Sequence, residues 1–459
     1  MNARRCLAAA AAVVGAGLAF PGAVAAHALA RSFQSRLPLA VYLAGAAAAV
    51  ALSFAFVLVR DVRARKPSGA GRTWIVPALA RRLVRAIGLA GWSWIMVQGL
   101  FGGESDAEVS RLFTWVYGWV GVALISALAF PIWTWLDPFA TLHDIGARVL
   151  RLAGIGGLTA AAYPPRLGRW PAVVGFGAVV WLELVAAGAG SRTLALVIAG
   201  YTVFTLAMMS QYGRRTWSAH GEVFAVWFGV LGRLAPIALV QDGSGTRLGW
   251  RGFATGLRDA DWARSDVVLV CFGTGSILFD GLSQTQIWVD TFGLPSVLPQ
   301  TLLLGGFLGL VIGSAFLVAR LVGIPATGAG LLPISVGYLL AHYFTYLLIE
   351  GQRIVIAISD PLQRGDDLFG TAFFEPSGAW LPPALVWGLQ LGAVVGGHMI
   401  GAWAGHVVAA SPIPDGDAGG RLVDGGEVRR RQVPLAVLMV ALTTLTLWSL
   451  GQALFVQQS

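Results

Sequence analysis

Two histidines, His342 and His398, stand in the middle of stretches apolar enough to cross a bilayer. A titratable side chain there costs about 3 kcal/mol or more, so such residues mark functional sites by default. Other polar groups interrupt the apolar runs in the same way: Glu183, the pair His220 and Glu222, Asp280 and Glu350. Imidazole and carboxylate together are ligands for Zn, Mn, Fe or Cu. His342, Tyr346 and Glu350 recur at i, i+4 and i+8, which places them on one slowly drifting helix face. His220 and Glu222 share a side only if their segment is extended. The expectation is a divalent transition-metal site built from His342, His398, His220, Asp280 and Glu350. Glu183 or Glu222 would take a proton from the bound water. No His-Glu-x-x-His motif and no cysteine pair accompanies the set. The competing reading of each residue is a plain hydrogen bond between helices.

The elements that must position these groups follow from composition. Of 459 residues, 56% are hydrophobic and only 12% charged, about half the charged fraction of a soluble domain. The expected fold is all-α, a polytopic transmembrane helix bundle in a lipid bilayer. The net charge of +9 belongs to cytoplasmic loops and is no sign of nucleic-acid binding. Residues 1–26 read as a signal peptide: Arg4 and Arg5, an apolar core from Leu7 to Phe20, and the small residues Ala23 to Ala26. Residues 27–459 then form a single transmembrane domain. Its removal would leave Cys271 as a lone, buried cysteine.

With roughly 17 to 25 apolar residues per crossing, spans fall near 37–59, 83–102, 113–133, 171–189, 193–210, 264–281, 298–320, 330–350, 382–409 and 433–456. That makes about ten, in a range of about nine to twelve. The stretch 220–240 is ambiguous, and charge decides it. If it does not cross, the loops bearing Arg60 to Arg82, Arg247 to Arg258 and Arg429 to Arg431 all lie inside. It is therefore read as re-entrant or interfacial, with the mature N-terminus outside. Asp280 and Glu350 then share the outer side. Glycines spaced by four, at 305, 309 and 313 and at 388, 392 and 396 running on to 397, 401 and 405, predict close helix packing. The cytoplasmic stretch Asp137 to Asp144 continues into Ile145 to Leu152, which reads as an amphipathic helix along the inner headgroups with Arg148 and Arg151 on its polar face. Cleavage after Ala26 would also make His27 the N-terminal residue, able to bind copper through imidazole and amine together.

Several stretches resemble a family of bacterial, largely actinobacterial, multi-pass membrane proteins known as fenitrothion hydrolases. They are Tyr163-Pro-Pro-Arg-Leu-Gly-Arg-Trp-Pro171, Trp181-Leu-Glu-Leu184, His220-Gly-Glu222, Phe279-Asp-Gly281, Ala341-His-Tyr-Phe344, Gly351-Gln352, Ser359-Asp-Pro361 with Asp367-Leu-Phe-Gly-Thr371, and Gly397-His398. Members carry a further His near His406 followed by an acidic residue, where this chain has Val407. The resemblance implies hydrolysis of an apolar phosphotriester and a second homologous membrane subunit as partner. That chemistry needs an activated water and charge stabilisation at phosphorus, which a metal supplies. A metal transporter or metal-delivery protein, with copper as the example, is the alternative from another class. A structural or assembly subunit is the third.

Overall fold

A segment inside a bilayer must satisfy its backbone hydrogen bonds internally, and the apolar runs of this chain do so as helices. The structure, a computed structural model, describes residues 71–103, 108–155, 160–186, 190–242, 245–258, 260–410 and 425–450. The expected signal peptide, His27 and the span near 37–59 lie outside them. In chain order the elements begin with β1 (Thr73–Ile75), α1 (Ala78–Phe101), α2 (Val109–Leu128), α3 (Trp133–Leu136), α4 (Pro138–Leu152), α5 (Trp170–Leu184), α6 (Ser191–Tyr212), α7 (Arg214–His220) and α8 (Val223–Leu231). There follow β2 (Ile237–Asp242), β3 (Gly245–Trp250), α9 (Arg264–Ser283), α10 (Gln286–Phe292), α11 (Val297–Val322), α12 (Ile324–Glu350), α13 (Pro383–Ala409) and α14 (Gly425–Leu450). Among the described residues, eight helices are long and apolar enough to cross a membrane, and α5, of 15 residues, is a shorter apolar one. Within α2, Leu112–Val122 winds as a π-helix.

The stretch 220–240 breaks where its polar and small residues fall. α7 ends at Gly221, and Glu222 caps the N-terminus of α8 by accepting from Phe224 N and Ala225 N. α8 stops after nine residues at Gly232, a rise of about 14 Å, too short to cross. Pro236 follows, and the chain leaves as a strand. The all-helical expectation missed this sheet, whose strands run antiparallel in the order β1-β3-β2. The apolar Ile237–Val240 belongs to it and not to a membrane segment.

α9 and α12 lie at the centre, buried along most of their lengths. They run in the same direction beside α5. At one end, Arg169 Nη1 lies 2.8 Å from both oxygens of Asp266, and Trp262 packs over Gly328. At the other, Asp280 meets His342. α13 crosses α12 closely because glycines face backbone there. A Cβ on Gly397 would come within 2.6 Å of Pro333 O, and one on Gly401 would run into Gly330 O. The other expected stripes do no such work within the chain. Cβ atoms on Gly305, Gly309, Gly313, Gly388, Gly392 and Gly396 would meet nothing within 4 Å.

Candidate functional site: a histidine–carboxylate pair at one end of the bundle

The last turns of α5 and α9 and the last third of α12 converge on Asp280. His342 Nε2 lies 2.9 Å from Asp280 Oδ2, Tyr343 donates its hydroxyl to the same oxygen at 3.0 Å, and Gln284 Nε2 donates to Oδ1 at 2.7 Å. A carboxylate only accepts, so these contacts assign the imidazole proton to Nε2. Nδ1 is then left with its lone pair. It faces the side where Gly281 has no side chain: a Cβ there would sit 3.8 Å from Nδ1 and 3.4 Å from Ser449 Oγ of α14. Imidazole and carboxylate are both largely buried, with side chains 14% and 15% exposed. Glu183, in the last turn of α5, and Tyr346 of α12 both lie within electrostatic reach of Asp280. Glu350 itself pairs with Arg353 at 2.5 Å. Three of the predicted residues, Glu183, Asp280 and His342, thus come together.

The remaining predicted residues go elsewhere. His398 is wholly buried and both ring nitrogens meet protein groups: Nδ1 faces Val394 O of its own helix at 2.7 Å, and Nε2 meets Met439 O at 3.0 Å and the Thr443 hydroxyl on α14. Its partners are on α13 and α14, whereas those of His342 are on α9. His220 donates from Nδ1 to Thr216 O at 2.9 Å and lies against the Tyr163 ring. Its neighbour Glu222 turns into an aromatic box, accepting from Tyr201 OH at 2.6 Å and Trp133 Nε1 at 3.3 Å. The shared side expected of His220 and Glu222 does not form, because a helix end separates them. Val223 packs on Gly175, eight residues and about 12 Å before Glu183 along α5, so Glu222 is remote from Asp280. His406 hydrogen-bonds Gln432 Oε1 at 2.7 Å.

This bears on a metal. Among the described residues, no three His, Cys, Asp or Glu side chains assemble so as to hold an ion. His342 and Asp280 satisfy each other, and His398 and Glu222 are occupied by protein partners. Among the described residues these donors do not gather round a metal, and Asp280 instead holds the imidazole of His342.

Two groups escaped sequence reasoning. Tyr343 adjoins His342 and was hidden by the expectation that only i, i+4 neighbours share a face. Asp137 caps α4 by accepting from Phe139 N and Ala140 N at 2.8 and 3.0 Å and is nearly fully buried. Burial, and then the nearby Glu222, push its carboxyl up to about 8, against the two capping N–H groups. Burial also raises Glu222, although Tyr201 and its own capping bonds favour the anion. The Asp-Pro-Phe-Ala start of α4 signalled the cap, while its burial follows from packing alone.

Compared with known protein families, curated proteins and solved structures, the chain matches none.

Proposed function

We propose that this chain is a membrane-embedded hydrolase of apolar phosphotriester-type substrates, with His342 as its general base. The observation that carries this reading is the 2.9 Å contact from His342 Nε2 to Asp280 Oδ2, which leaves Nδ1 with its lone pair on the side of Gly281. A carboxylate that fixes one imidazole nitrogen as donor makes the other a proton acceptor. His342 Nδ1 takes a proton from water as the water oxygen attacks phosphorus. The bond from phosphorus to the aryloxide breaks, and the aryloxide leaves with the electron pair. Asp280 holds the ring and stabilises the imidazolium, which returns the Nδ1 proton to solvent water. A nitrophenolate leaving group needs no general acid.

The resemblance to fenitrothion hydrolases supplies the reaction class, and the apolar bundle supplies a route for a lipid-dissolved substrate. In this reading α7 and α8 form a re-entrant segment, ten spans cross, and the Asp280 end of the bundle faces outward. The buried Asp266, held by Arg169 and Arg233, then marks the inner end, in keeping with the charge rule. The transport alternative needs His342, His398 and the His220/Glu222 segment along one path, and their hydrogen bonds favour none.

The test is hydrolysis of a nitrophenyl phosphotriester by the purified chain in lipid nanodiscs. His342→Gln is expected to lower kcat by about 10²-fold or more with KM little changed. Asp280→Asn is expected to lower it in the same sense by loosening the ring. Native-rate hydrolysis by His342→Gln would refute the assignment.

A further inference from the structure

α4 is buried in its first turn and mostly exposed over its second half. That first turn is firmly held. Asp137 caps it, Arg85 of α1 donates to Thr141 Oγ at 3.2 Å and to Asp144 at 2.5 Å, and Arg214 of α7 reaches Asp144 at 3.2 Å. Beyond Asp144 the helix is mostly exposed. Ile145, Val149 and Leu152 repeat at i, i+4 and i+7, and Val149 and Leu152 are 58% and 80% exposed. Arg148 and Arg151, three apart, flank this stripe and are both exposed.

α1 supplies a second basic wall. A Cβ on Gly88 would run into Leu136 O, and Arg85 contacts Thr141 and Asp144. Moving toward the start of α1 therefore moves toward the end of α4. One further turn along each brings Arg81, on the same face as Arg85, level with Arg148. Arg82 and Arg151 follow, and Arg215 stands beside Arg214. Asp144, the acid in their midst, is already engaged by Arg85 and Arg214. What is left is a surplus of guanidinium groups directly beside an exposed apolar stripe.

We propose that the projecting half of α4 and the first turn of α1 form a binding site for an anionic phospholipid. The phosphate of the headgroup lies between Arg81 and Arg82 on one wall and Arg148 and Arg151 on the other. The acyl chains run along Ile145, Val149 and Leu152. Guanidinium matches phosphate geometry with paired N–H donors. A soluble phosphorylated ligand would leave the apolar stripe in water, whereas a lipid covers both halves of the surface at once.

The experiment is native mass spectrometry of the full chain released from nanodiscs of phosphatidylcholine with a minor share of phosphatidylglycerol. Native protein is expected to retain phosphatidylglycerol several-fold above its bulk share. Each exposed arginine near an anionic surface is worth about fivefold. The Arg148→Gln/Arg151→Gln and Arg81→Gln/Arg82→Gln pairs are therefore each expected to cut the enrichment, and the fourfold variant to abolish it. Val149→Ser/Leu152→Ser is expected to weaken retention without touching the charge. Retention at the bulk ratio by native protein, or unchanged enrichment in the fourfold variant, would overturn the proposal. Displacement of the lipid by inorganic phosphate alone would also overturn it, since the apolar half would then contribute nothing.

Discussion

Replacing Asp137 with Asn is expected to make the chain more resistant to unfolding at alkaline pH while leaving it little changed at acid pH. Asp137 is 5% exposed and sits beside a second buried carboxyl, Glu222, and its carboxyl is pushed up to about 8 from an ordinary value of 3.8. Between those values the folded chain holds a proton that the unfolded chain has released. Stability therefore falls as pH rises through this window, by about 1.4 kcal/mol per pH unit, and levels off above it. From pH 5 to pH 8 that amounts to about 4 kcal/mol. Asn keeps the side-chain oxygen that accepts from Phe139 N and Ala140 N, and it caps helices as well as Asp does. It carries no charge, so its stability lacks this slope. The assay is denaturant unfolding in mixed micelles at pH 5, 6, 7 and 8, read as native minus variant so that titrations common to both cancel. A difference growing in favour of Asp137→Asn with pH is the expected result. Glu222→Gln, which removes the neighbouring carboxyl, is expected to shift the window downward. A native-minus-variant difference that stays flat from pH 5 to pH 8 would show that Asp137 is ionised in the folded chain and refute the reasoning.

The buried ion network at the other end of α9 gives an effect of similar size. Asp266 is fully buried against Arg169 and Arg233, so Asp266→Ala leaves two guanidinium groups without their anion. The same unfolding assay is expected to register a loss of about 3–5 kcal/mol. The glycine stripes offer an internal contrast. Gly401→Ala drives a methyl into Gly330 O and is expected to destabilise by about 1–3 kcal/mol or more, while Gly309→Ala meets open space and is expected to be near neutral. Equal thermal stability of the two variants would refute the packing assigned to α12 and α13.

How much of this was legible depends on the physical quantity concerned. A span must be about as long as the bilayer is thick, so a run of apolar residues fixes a helix almost by counting. The sequence places spans near 193–210, 298–320 and 382–409, against α6 at Ser191–Tyr212, α11 at Val297–Val322 and α13 at Pro383–Ala409. The stretch after His220 was ambiguous by length and was decided on loop charge alone; in the structure Gly221-Glu222 and Gly232 to Pro236 divide it into pieces too short to cross. The strand Ile237–Asp242 was not readable, because an apolar run of four or five residues looks the same at the end of a helix as at the start of a strand. Neither was the difference between His342 and His398. Both interrupt an apolar helix, and both carry the same desolvation cost in sequence terms. What separates them is the rotation of each helix against its neighbours. That rotation turns His398 onto the backbone carbonyl of Met439 and the hydroxyl of Thr443, leaving neither ring nitrogen available. It turns His342 onto the carboxylate of Asp280 and leaves Nδ1 beside a glycine. A histidine whose two nitrogens are both satisfied by the fold can only hold helices together. One that is satisfied on a single side by an anion is oriented and still has a lone pair to use, and on that asymmetry His342 is the residue with chemistry left to do.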